Sequence, residues 1–119
     1  MRTSELTGAA LDWAVAMCER VSVEYVDDSI TRCLLIKPLG SGIFSPSTDW
    51  AQGGSIIERE KIDLMSGGTH WTVCMNNDSM YDPEIPLISY QAENPLVAAM
   101  RCYVASKLGD EVEIPEELK

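Results

Sequence analysis

The segment Asn94–Gly109 constrains the fold more than any other in the chain, because it carries a start signal, a stop signal and very few polar positions. Asn94 is a favoured N-cap, and Pro95 stands at the first helical position, where a missing N–H costs nothing. Gly109 follows the last periodic residue, where a left-handed residue usually closes a helix. Val97, Met100, Val104 and Leu108 recur at helical spacing. Ala98, Cys102 and Ala105 add a small-residue face that allows close packing. Such a helix must be covered by the rest of the protein.

The rest is enough to cover it. At 119 residues and 45% apolar content, the chain is of single-domain size and can bury roughly two-thirds of its unfolded surface. The formal charge of −10 opposes a direct grip on nucleic acid or on anionic membranes. No apolar run approaches the ~18 residues of a membrane span. Met1–Glu5 lacks the apolar core of a secretion signal, so Cys18, Cys33, Cys74 and Cys102 are expected as reduced thiols in a cytoplasm. Their wide spacing lacks the short pairs of a structural zinc site, and neither metal nor cofactor is expected.

Upstream, residues 4–19 have helical spacing, with Leu6, Ala10, Trp13, Ala14 and Met17 on one face. Glu5, Asp12 and Glu19 fall on the opposite face and are expected in solvent. Gly8 weakens the first turn. Val21–Val26 alternates as a half-buried strand does, Asp27–Ser29 turns, and Arg32–Lys37 returns as a second strand. Pro38–Gly42 is a loop.

Ser45-Pro46-Ser47-Thr48-Asp49-Trp50 opens a second helix, predicted over 47–61, with either serine as N-cap and Trp50, Gly54 and Ile57 on one face. The Gly53-Gly54 pair either kinks this helix or admits a close neighbour. Ile62–Met65 and Thr69–Met75 form a hairpin through Ser66-Gly67-Gly68, with Trp71, Val73 and Met75 on one side. Asn76–Pro86 is a turn-rich loop, Leu87–Tyr90 an edge strand, and Asp110–Lys119 a loose acidic tail.

Three blocks, Thr3–Ala16, Ser45–Glu60 and Pro95–Leu118, closely resemble the NinX-like family of tailed phages and prophages of enteric bacteria. Ser55 stands where relatives often carry proline. A weaker similarity joins the chain to small phage domains described as an ABA sandwich. These share a helix, a Pro-Ser-Thr-Asp helix, a tryptophan-bearing hairpin and a final Pro-x-x-Ala-x-x-Arg helix. The resemblance implies one α+β domain over 1–119: a small antiparallel sheet packed by about three helices, as a three-layer α-β-α sandwich. It carries over no activity.

Each candidate site residue has a structural and a functional reading. Arg101 falls inside the apolar side of the last helix. It needs either a carboxylate such as Asp49, Glu58 or Asp12, or a bound anion that exploits its bidentate geometry. Ser47, Thr48 and Asp49 either cap their helix or present N–H groups to a phosphate, which Asp49 would repel. Trp13, Trp50 and Trp71 belong to core-facing stripes, or stack on a base if exposed. His70, the one histidine, lies beside a glycine turn, where exposure is expected. No catalytic grouping stands out. The leading expectation is a non-enzymatic phage or prophage accessory protein that binds a host or phage protein. The alternative is a small-molecule binder for a nucleotide signal, using Ser47, Thr48, Asp49, Trp50 and Arg101. A homodimer through the 87–90 edge or the 21–37 hairpin is compatible with either.

Overall fold

A computed structural model describes residues 1–27, 32–38, 41–75 and 88–119. The predicted loop at Asn76–Pro86, Leu87, and parts of the turns at 27–29 and 38–42 lie outside the described residues. Among those described, the fold is α+β, with three α-helices and two small antiparallel sheets. No helix among them is long and apolar enough to cross a membrane.

The final helix α3, Pro95–Leu108, forms as its signals dictate. The Asn94 side chain accepts from the N–H groups of Leu96 and Val97. Leu96, Ala98, Ala99, Met100, Cys102, Tyr103 and Val104 are all buried. Gly109 closes the helix with a φ of +88° and an extended ψ, so the positive φ is met but in a conformation outside the left-handed helical region.

α3 lies against β4 (Trp71–Met75) and β5 (Ile88–Ala92). These strands and β3 (Asp63–Ser66) form one sheet in the order β3-β4-β5, with Val73 paired to Leu64 on one side and Tyr90 on the other. α1 (Gly8–Glu19) and α2 (Trp50–Glu60) both pack on α3. The hairpin of β1 (Val23–Asp27) and β2 (Arg32–Ile36) forms the second sheet, and β2 rests on α1.

Several expectations are corrected. The helix predicted over 4–19 is divided into a 3-10 turn at Thr3–Glu5 and α1. Gly8 adopts a φ of +56°, which a right-handed helix cannot continue through, and Leu6 is extended and fully buried. α2 begins at Trp50, not at 47, because Ser45–Thr48 form a turn whose carbonyl at Ser45 takes the N–H groups of Thr48 and Asp49. Its cap is Asp49 and neither serine. Its buried positions are Gly53 and Ile56, so Trp50 faces solvent at 52% exposure. Met17 and Leu108, assigned to core stripes, are also exposed, at 53% and 41%.

The tail is docked, contrary to a loose acidic segment. Val112, Ile114 and Leu118 are buried. The Met1 ammonium donates to the Val112 carbonyl, the Val112 N–H donates to the Met1 carbonyl, and Thr3 donates from its N–H to Asp110 and from its hydroxyl to Gly109. Both ends of the chain are thereby tied into one short ladder.

Gly53 explains the double glycine. α2 is unbroken, and a Cβ at Gly53 would meet the Pro46 carbonyl and stand 2.5 Å from Leu96 Cδ1, whereas Gly54 has only a Trp50 ring atom at 3.8 Å. The close-approach reading holds at the first glycine. Gly53→Ala should destabilise the protein by about 1–3 kcal/mol through overpacking. Gly54→Ala should be neutral or stabilising by about 0.5–1 kcal/mol through helix propensity. Urea melts of the two variants check this; equal effects would contradict the close contact.

Candidate functional site

The Pro-Ser-Thr-Asp segment is occupied with itself. Asp49 Oδ1 accepts from the Ala51 N–H at 2.9 Å, and its Oδ2 accepts from the Gln52 side-chain amide. Gln52 also donates to the Ile43 carbonyl and accepts from the Ser45 N–H. The Ser47 N–H donates to Asp12 Oδ1 at 2.8 Å. Asp12, expected in solvent, is buried for this reason: it fixes the turn before α2 onto α1. The Ser47 hydroxyl is buried and close enough to affect the same carboxylate, yet makes no hydrogen bond of good geometry. The N–H groups of Ser47, Thr48, Asp49 and Ala51 at this helix start are thus committed within the chain.

Arg101 corrects the ion-pair expectation. Its Nε donates to the Leu6 carbonyl at 2.8 Å, and Nη1 reaches the Gln91 carbonyl at 3.4 Å. The break between the 3-10 turn and α1 frees the Leu6 carbonyl, and the guanidinium takes it up. Burial lowers the Arg101 pKa, and no carboxylate among the described residues opposes it. No hydrogen bond or ion pair among the described residues joins Arg101 to Ser47, Thr48, Asp49 or Trp50.

A charged cluster that the sequence did not reveal joins the three helices. Arg59 grips Glu19 with two nitrogens, at 2.9 and 2.8 Å. The buried Tyr103 hydroxyl donates to Glu19 at 2.7 Å, and the guanidinium lies 5.7 Å from the Tyr103 ring centre. Glu60 accepts from Arg59 Nε and lies 3.8 Å from Lys107. Burial would raise the Glu19 pKa, but the bonds from Arg59 and Tyr103 outweigh it and the net shift is downward. Burial, reinforced by Glu19, raises that of Tyr103. Glu19, Arg59 and Tyr103 stand forty or more residues apart, and only the spacing of Glu19 within its own helix was legible, which pointed to solvent.

His70 is exposed, as expected, with Nδ1 2.9 Å from the Thr69 hydroxyl. All four cysteines are free thiols. Burial pushes Cys18 up to about 11 and Cys102 up to about 12, so neither offers a ready thiolate. Among the described residues, no three His, Cys, Asp or Glu side chains are placed to hold a metal ion.

An open space of about 430 Å³, lined by Thr7, Tyr25, Asp27, Arg32 and Glu117 among others, holds none of the predicted site residues. Two smaller ones remain. One, of about 360 Å³, lies between α1 and the hairpin and is lined by Asp12, Arg32, Phe44, Ser45 and Thr48 among others; of the predicted residues it includes only Thr48. The other, of about 270 Å³, is an apolar groove formed by Trp13 and Met17 of α1, Leu108 of α3, and Glu111, Val112 and Glu113 of the tail. It is where the uncovered residues of two helical stripes meet.

The Asp12 contact has a definite pH signature. Burial raises its pKa above the ordinary 3.8, and the Ser47 N–H together with the nearby Ser47 hydroxyl offsets this only in part. A carboxyl whose folded pKa exceeds its unfolded one contributes stability fully below the unfolded value and loses it as pH rises through the folded one. Asp12→Asn keeps an acceptor for Ser47 and removes the titration, so it should gain stability relative to the native chain between acid and neutral pH. Asp12→Ala orphans the Ser47 N–H and should cost about 1–3 kcal/mol. Denaturant melts across that range check both; parallel curves for the native chain and Asp12→Asn would contradict the assignment.

The comparisons with known proteins agree with the resemblance read from the three sequence blocks. The family described as Bacteriophage P22, NinX matches residues 2–107, which includes α1, α2, both sheets and nearly all of α3. No curated protein matches the chain. With the match running over most of its length, the chain belongs to the phage NinX family.

Proposed function

We propose that this phage accessory protein acts without catalysis, by binding a host or phage protein in the cytoplasm of the bacterial host. One observation carries the reading: the apolar groove between α1, α3 and the tail, where Met17 and Leu108 lie open although helical spacing would bury them. Exposed apolar surface rimmed by polar residues is typical of protein-interaction sites. The polar groups that could have served chemistry are engaged elsewhere: Asp12 holds Ser47, Glu19 holds Arg59, and Arg101 holds backbone carbonyls. The net charge of −10 disfavours nucleic acid and anionic membranes as partners. A homodimer through the outer edge of β5 is compatible with this role.

A second reading rests on the 360 Å³ space beside Asp12, Arg32 and Thr48. Its size is within the range of small-molecule sites, and a sequestered nucleotide signal is the ligand class it would serve. A thermal-shift panel of nucleotides separates the two, since a ligand at about 100 times its Kd adds about 2.7 kcal/mol of stability.

For the leading reading, the tagged full chain is expressed in lysogenic or infected cells. A stoichiometric protein partner should be recovered repeatedly, and recovery should survive nuclease treatment. Repeated recovery of no partner, together with a specific nucleotide-induced rise in Tm, would overturn it in favour of the second.

A further inference from the structure

The groove at Trp13, Met17, Leu108 and Val112 has a definite chemistry. Val112 is buried and Trp13 half-buried, so they form its covered part, while Met17 and Leu108 form its open part. The two open residues come from different helices, and each sits at the end of a stripe whose other members are in the core or packed against it. Neither Glu111 nor Glu113 is in an ion pair among the described residues, and both are exposed on the rim. Lys107, next to Leu108, is directed to Glu60. The space of about 270 Å³ is below the ~300–1,000 Å³ of small-molecule pockets, which suits one or two inserted side chains better than a whole ligand.

Apolar floor and uncompensated acidic rim together specify the complement. We infer that the groove receives a segment of a partner protein that presents one or two large apolar side chains flanked by Lys or Arg. This rests on the protein-binding reading and narrows it to one surface and one kind of partner. The apolar anchor supplies affinity through burial against Met17 and Leu108. The flanking cations meet Glu111 and Glu113, set orientation and speed encounter with an acidic protein. A helical segment with anchors three or four positions apart would place both on one side.

The probe is a synthetic amphipathic peptide of Leu and Lys, titrated into the isotope-labelled full chain and followed by NMR. Shifts should map to Trp13, Met17, Leu108 and Val112. Met17→Gln and Leu108→Gln, at exposed positions and so able to fold, should each weaken binding by about tenfold or more, as central contacts do. Glu111→Gln with Glu113→Gln should weaken it less and flatten its salt dependence. The same peptide with Glu for Lys, or Gln for Leu, should not bind. Shifts centred elsewhere, equal binding by the Gln-for-Leu peptide, or affinity unchanged in Met17→Gln would overturn the assignment. So would light scattering that shows a dimer dissolved by Met17→Gln, since a second copy would then fill the groove. A partner captured equally by the native chain and by Met17→Gln would sink the groove while leaving the protein-binding reading intact.

Discussion

The structure depends on one constraint, the covering of a single fourteen-residue helix in which seven residues are buried and five half-buried. α3 has too little polar surface to lie at a protein edge, so β4, β5, α1 and α2 are held where each covers part of it. The three-stranded sheet covers one side and α1 and α2 the others. The small side chains of α3 set how close these neighbours come, and Tyr103 supplies its one polar end inside the core. The hairpin is a step removed, since it covers α1 rather than α3. The tail then returns to the N-terminus, so a helix near the end of the chain is enclosed by residues from both termini.

Polar groups inside this arrangement act as fasteners between elements that apolar packing alone would leave free to slide. Asp12 fixes the turn before α2 to α1. Arg101 ties α3 to the break before α1 and to β5. Glu19, Arg59 and Tyr103 join all three helices near their C-terminal ends. Each fastener is a charged group held by hydrogen bonds, the condition under which a buried charge is tolerable. Such fasteners gain specificity of docking more than net stability, because desolvation offsets much of the attraction.

How much of this was legible follows from the range of each signal. The N-cap of α3, most of its spacing, the strands of the two hairpins and the α+β class are local, and they read correctly. Gly53 was legible as a close contact or a kink, and only the position of Pro46 and Leu96 decided between them. The ends of α1 and α2 fall on Arg20 and Lys61, both left-handed without being glycine, and no local preference announces that. Asp12 and Glu19 read as solvated because their partners lie thirty-five and forty residues away. Arg101 was correctly flagged as needing a partner, but its partner is a backbone carbonyl exposed by a helix break, which no side-chain pattern encodes. The groove was hidden for the opposite reason: periodicity marks Met17 and Leu108 as core, and only the packing shows that nothing within the described residues covers them.

The apolar groove exists only because α1, α3 and the tail are held together. The account therefore stands on α3 being the last element to open. Native-state hydrogen exchange tests this directly: the amides of Ala98–Val104 should exchange only through global unfolding, with the same free energy as the denaturant melt. Exchange of those amides through a lower-energy opening, while β4 or α1 stays protected, would contradict it.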